Sequence, residues 1–203
     1  MKTIFHIQIL NFSNHFRMKR EKSAQTILLI FFIVAFSLLT CTKPQEYSNI
    51  PAITFDKVIL KDTLEKVGST YDTVKLVKIV FNVIDGDGDL GLKPEETEIK
   101  YFFRDSLWNN NYFSTRFHIE NGFPIEISDT LAPPFYRIPY FVPIGQNKTL
   151  KASISIDITY PYYSTGLQFD TVVYEFFIVD RALNKSNVEF TPKIPLDSVG
   201  IVR

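Results

Sequence analysis

The chain has 203 residues, with 22 basic and 22 acidic side chains, three histidines and one cysteine. Residues 1–40 hold five of the basic groups and one of the acidic, so the part from Cys41 onward carries 17 against 21, a net of −4. That balance excludes a basic nucleic-acid-binding face, and a lone cysteine excludes an internal disulfide framework.

Residues 1–17 have no signal character. Met18, the only other methionine, opens a short basic segment, MKREK, which predicts that residues 1–17 are a misassigned extension and that translation starts at Met18. Ile27–Leu39 then read ILLIFFIVAFSLL. As a helix, the stretch from Thr26 to Thr40 would reach about 22 Å, short of the roughly 30 Å of a bilayer core. A short apolar run behind Lys19, Arg20 and Lys22 is a signal-peptide pattern. Leu38-Leu39-Thr40-Cys41 resembles the lipobox of bacterial lipoproteins, with Thr40 where a smaller residue is usual. The resemblance implies cleavage after residue 40, lipid on Cys41 and a chain held in the cell envelope, at the outer membrane, on a leaflet left open.

Residues 41–51, with Pro44 and Pro51, read as a lipidated tether. From 52 to 203 no helical period stands out, and Phe, Tyr, Val, Ile and Thr favour strands. Ile53–Leu60 comes first, and Val74–Ile84 follows with Val77, Ile79, Phe81 and Val83 on one face. Ile99, Tyr101 and Phe103 make a third strand. Tyr112–Ile119 and Phe123–Ile127 are joined through Asn121-Gly122, a pair that favours a type I′ turn. Tyr136–Phe141 is bracketed by prolines and reads as an edge strand or loop. Lys148–Tyr160 alternates cleanly, with Leu150, Ala152, Ile154, Ile156, Ile158 and Tyr160 on one side. Val172–Val179 is apolar on both faces, and Val188–Phe190 closes the set. Seven to nine short strands with turns between them predict one all-β antiparallel sandwich.

Val179-Asp-Arg-Ala-Leu-Asn-Lys-Ser-Asn187 resembles a D-x-A-G-N-x-S hairpin of bacterial immunoglobulin-like (fibronectin III-like) domains, with Leu183 where the usual glycine stands. Phe81–Leu92, FNVIDGDGDLGL, is similar to a motif of uncharacterised Bacteroidota lipoproteins. Together they imply an immunoglobulin-like domain and say nothing of activity, since that fold hosts many functions.

Counting Asp85 as position 1, acids fall at 1, 3, 5 and 12 (Asp85, Asp87, Asp89, Glu96), with Leu92 at 8. That is the oxygen-ligand spacing of a calcium loop. It departs from that pattern at position 6, which is Leu90 rather than glycine, and in its strand-like flanks. In an immunoglobulin-like fold Asp180 would lie at the same pole as a further ligand. The competing reading is an Asp/Gly loop joining two strands.

Six of twelve aspartates precede Ser or Thr and then Leu or Val, placing Thr63, Thr73, Ser106, Thr130, Thr171 and Ser198 as candidate O-glycan acceptors. The pattern resembles the acceptor motif of exported Bacteroidota proteins. A turn ending on Asp before a Thr-Val strand explains positions 72 and 170 equally well. Asn147-Lys148-Thr149 matches an N-glycan acceptor, which a bacterial lipobox argues against.

His118 is the only histidine beyond Cys41, so histidine-based triads and multi-histidine metal sites have little to draw on. The leading expectation is a non-catalytic envelope lipoprotein presenting an immunoglobulin-like binding or structural module, stabilised by Ca²⁺. Its partners would be the membrane through the lipid, and an envelope protein or glycan. The second is a carbohydrate-binding surface lipoprotein of a glycan-capture system, using Trp108, Tyr112 and the Tyr160-Pro161-Tyr162-Tyr163 turn as platforms. A glycoside hydrolase would need a carboxylate pair spaced for catalysis, and these acids are spaced for a metal.

Overall fold

The computed structural model describes residues 29, 31, 45–104, 106–127, 135–142, 148–162 and 167–203. Cys41 and most of the signal segment lie outside them. Among the described residues no helix is long and apolar enough to cross a membrane.

Glu46–Arg203 form one compact unit built of strands. They are β1 (Ala52–Val67), β2 (Thr70–Asp85), β3 (Tyr101–Phe103), β4 (Ser106–Trp108), β5 (Tyr112–Glu120) and β6 (Phe123–Glu126). After them come β7 (Phe135–Tyr136), β8 (Leu150–Pro161), β9 (Thr171–Ile178), β10 (Glu189–Phe190), β11 (Ile194–Pro195) and β12 (Gly200–Val202). One sheet has the order β12-β1-β2-β8 and the other β10-β9-β5-β6, with β7 on β5 and β11 on β9. Among the described residues every pairing between these strands is antiparallel. The protein is an all-β sandwich.

The core follows from period two. Val77, Ile79, Phe81 and Val83 of β2 are at most 1% exposed, and Ile154, Ile156, Ile158 and Tyr160 of β8 lie beside them. Across the sandwich they meet Tyr112 of β5 and Val172, Tyr174, Phe176 and Ile178 of β9. Phe81 packs on Phe176 with ring centroids 5.3 Å apart, and the Tyr160 and Tyr174 hydroxyls hydrogen-bond each other inside the core. Burying the six apolar side chains of β8 contributes at most about 10–15 kcal/mol before entropy.

The two-faced apolarity of β9 has a definite cause. Its other face carries Phe177, which stacks on Phe113 at 5.3 Å, and the β3–β4 hairpin covers the pair with Tyr101, Phe103 and Trp108. This small second core lies on the outer face of the sheet.

Asn121 and Gly122 both have positive φ, +50° and +87°, as a type I′ turn requires. Tyr136–Phe141 forms a strand only at Phe135–Tyr136, against Tyr112 and Phe113. β1 and β2 run well beyond the expected Leu60 and Val74, meeting in a two-residue turn at Gly68-Ser69. Asp72 lies within β2, so the turn-then-strand account of Asp72-Thr73-Val74 fails there. It holds at Asp170, since Thr171 opens β9.

Candidate metal centre

The acidic loop begins where β2 ends. Asp85 is the last residue of that strand and is fully buried. Its Oδ2 accepts a hydrogen bond from the Leu90 amide at 3.1 Å, closing the loop over five residues. Leu90 itself is buried in the core, so the residue that breaks the calcium-loop pattern at position 6 is the loop's apolar anchor.

Two glycines let the backbone come close to its neighbours. Gly86 donates its amide to the Ser48 carbonyl at 2.8 Å, and a Cβ there would sit 2.4 Å from the Tyr47 carbonyl oxygen. Gly88 has φ +65°, and a Cβ would sit 2.0 Å from the Lys148 carbonyl oxygen. The loop is thus wedged between the segment before β1 and the segment before β8.

This wedging brings three carboxylates together. Asp85, Asp87 and Asp89 each offer one oxygen, all within 4.8 Å of one another. The Oδ1 atoms of all three are buried and receive no hydrogen bond. Asp89 uses its other oxygen to accept from the Ala182 amide at 3.1 Å, which ties the loop to the β9–β10 connection. The two loops therefore share one pole of the sandwich, as expected.

Asp180 stands next to this group, almost fully buried. Both its oxygens are engaged by Asn184, through the backbone amide at 2.7 Å and the side-chain amide at 2.8 Å. Leu183 occupies the expected glycine position and takes the left-handed conformation, φ +68°. The turn keeps its form with a residue ill suited to it.

Glu96 does not join the three aspartates. Its Oε2 accepts from the Lys93 amide at 2.8 Å and its Oε1 pairs with Arg181. The cause is local: the chain turns tightly through Pro94 and Glu95, and Glu96 caps its own turn. The Lys93 amide holds this carboxyl below the usual range, with Arg181 adding to the effect.

The electrostatics fit crowded, poorly solvated carboxylates. Burial pushes Asp85 up to about 7, with a side-chain hydrogen bond shared with Asp87 next and then repulsion from Asp87 and Asp89. Burial raises Asp89 to about 6, helped by Asp180 and Asp87. Asp180 is raised too, chiefly by burial. Three carboxylates at this spacing, each with an unpartnered buried oxygen, suit a hard divalent cation, which would offset the repulsion. The three aspartates form a group that could hold a metal ion.

The other candidate positions fall out differently. Tyr112 and Tyr160 are core residues, so neither is a sugar platform. Trp108 packs on Phe135 at 4.4 Å and donates Nε1–H to the Phe103 carbonyl. Tyr162 is exposed and its hydroxyl donates to Asp62 at 2.7 Å. His118 packs against Phe169 at 5.1 Å. Of the candidate glycan acceptors, Thr73 is exposed, and Thr63, Thr171 and Ser198 are half-buried. Ser198 donates its hydroxyl to the Pro195 carbonyl. Thr130 and the Ser106 side chain lie outside the described residues.

Sequence reasoning missed the anchoring amides of Leu90 and Ala182 and the packing of Tyr47 and Ser48 on Gly86. Only the last had a signal, in the glycines set between the aspartates. Comparison with protein-family models, with curated proteins and with solved structures returned no match.

Proposed function

We propose that the chain is a non-catalytic cell-envelope module, lipid-anchored at Cys41, whose β-sandwich is stabilised by a calcium ion held at Asp85, Asp87 and Asp89. Two observations carry the calcium reading: Asp85, Asp87 and Asp89 each offer one carboxylate oxygen within 4.8 Å of the others, and each has a buried Oδ1 that receives no hydrogen bond. Calcium suits it better than magnesium, which demands a strict octahedron and keeps most of its water. Asp180 stands beside them with each oxygen accepting one hydrogen bond from Asn184 and keeping a lone pair for a cation.

The anchor reading rests on the basic segment, the short apolar run and Cys41. An immunoglobulin-like identity is supported by strand order. β1, β2 and β8 in one sheet with β5, β9 and β10 in the other is the A-B-E and C-F-G arrangement of that fold.

Calorimetric titration with Ca²⁺, paired with thermal unfolding, tests the site. At calcium one hundred times Kd the gain is about 2.7 kcal/mol. That corresponds to a rise in Tm of roughly 5–10 °C for a domain of this size. Asp85→Asn abolishes both the heat and the calcium-dependent rise. No heat and no shift at millimolar calcium in the parent protein overturns the reading.

A further inference from the structure

A sheet edge presents unpaired N–H and C=O groups that template pairing with another chain, so folds blunt edges with bulges, prolines or short strands. This sandwich does so at most of its edges. β1 has a register shift at Phe55/Lys57 and is partly covered by β12. β6 is four residues long and contains Pro124, and β10 has two residues.

β8 is the exception. It is 12 residues long, pairs with β2 in unbroken register from Leu150 to Pro161, and ends its sheet with no strand on its other side among the described residues. No proline interrupts it before Pro161.

Its sequence is complementary to itself when run antiparallel. With Ile154 set opposite Ile154 of a second copy, Lys151 falls opposite Asp157 and Asp157 opposite Lys151. In the same register Ser153 meets Ser155, Ala152 meets Ile156 and Leu150 meets Ile158. Inward residues thus meet inward residues, and the joined core face carries no charge. Slipping by two residues either way keeps the faces but sets both charges against serine or threonine, so only one register pairs them.

Both charges are already on the outer face. Lys151 and Asp157 are exposed, Asp157 pairs with Lys78 at 2.6 Å, and Lys151 lies over the Tyr47 ring at 4.2 Å. In the joined sheet Asp157 would be flanked by Lys78 of its own chain and Lys151 of the second copy.

We propose that β8 is a homodimerisation edge, joining two copies antiparallel about Ile154 and fusing two four-stranded sheets into one of eight. The proposal is independent of the calcium site.

The full-length chain, purified in detergent, tests it by sedimentation equilibrium and zero-length carbodiimide cross-linking of mixed ¹⁴N- and ¹⁵N-labelled protein. The expected result is a dimer carrying a Lys151–Asp157 cross-link between light and heavy copies. Lys151→Glu and Asp157→Lys should each weaken association by roughly tenfold or more, since each sets like charges opposite twice. Mixing the two variants should restore the dimer, because both rungs then pair opposite charges. Misfolded variants would not recover on mixing, so restoration separates a lost interface from a lost fold. A monomer at the highest soluble concentration, a dimer indifferent to both substitutions, or a mixture that stays monomeric overturns the proposal.

Discussion

Leu183 and Gly88 occupy the same region of backbone space, at φ +68° and +65°, with opposite consequences. For a side chain with a Cβ that conformation costs about 1–2 kcal/mol. Leu183 bears that cost at a half-exposed turn where its side chain returns little packing. Leu183→Gly should therefore raise stability by about 0.5–1 kcal/mol, after the extra chain entropy of glycine is subtracted. At Gly88 the strain is absent, and the Lys148 carbonyl leaves no room for a methyl group. Gly88→Ala should destabilise by about 2 kcal/mol or more, from strain and displacement of that segment together. Chemical denaturation of both variants checks the pair. A stabilised Gly88→Ala protein would mean the loop does not pack against Lys148.

The elements differ in how openly the chain declares them. β8 and the core half of β2 were legible because burial on one face imposes strict alternation. Ile79→Ala, at a fully buried site between two neighbouring strands, should cost about 2–5 kcal/mol in a denaturant titration. Alternation says nothing where both faces are wet. The outer β1–β2 ribbon, LEKV paired with TYDT, has charges and apolar residues on either side, so its pairing was hidden. The Gly68-Ser69 turn was its one signal, with positive φ at Gly68 as a type II′ turn requires. Lys75 was hidden for another reason. It is 1% exposed on the same face as Val77 and Ile79, at the end of the core, bonded to Asp62 at 2.7 Å and to the Ser198 carbonyl at 3.0 Å. No local pattern shows that the end of the chain folds back to cover it. The site was half legible for the same reason. The three aspartates converge because they are two residues apart in one loop, whereas Glu96 turns back to cap the Lys93 amide and pairs there with Arg181, which arrives from a strand connection 85 residues away.

At the scale of the whole molecule, the acidic pole sets how stability responds to pH. Asp85 and Asp89, raised to about 7 and 6, hold protons in the folded state that they release when unfolded, where carboxylates titrate near 4. Between about pH 4 and 7 the folded state therefore binds more protons than the unfolded one, and stability falls as pH rises. Asp62 has the opposite sign. Its hydrogen bonds from Lys75 and then Tyr162 lower it, so its contribution is present above its unfolded value and lost on further acidification. In chelator the protein should thus be most stable in mildly acid solution and weaken towards neutrality. Saturating calcium should reverse that slope, because the ion binds only the ionised carboxylates and stabilises the fold more as they ionise. Asp85→Asn should make the profile in chelator shallower, leaving the part owed to Asp89, and should remove the response to calcium. Melting curves from pH 4 to 8, with calcium and with chelator, read this directly. A chelator profile that rises steadily towards pH 8 would mean that the three aspartates are solvated as ordinary surface groups, and the calcium site would fall with it.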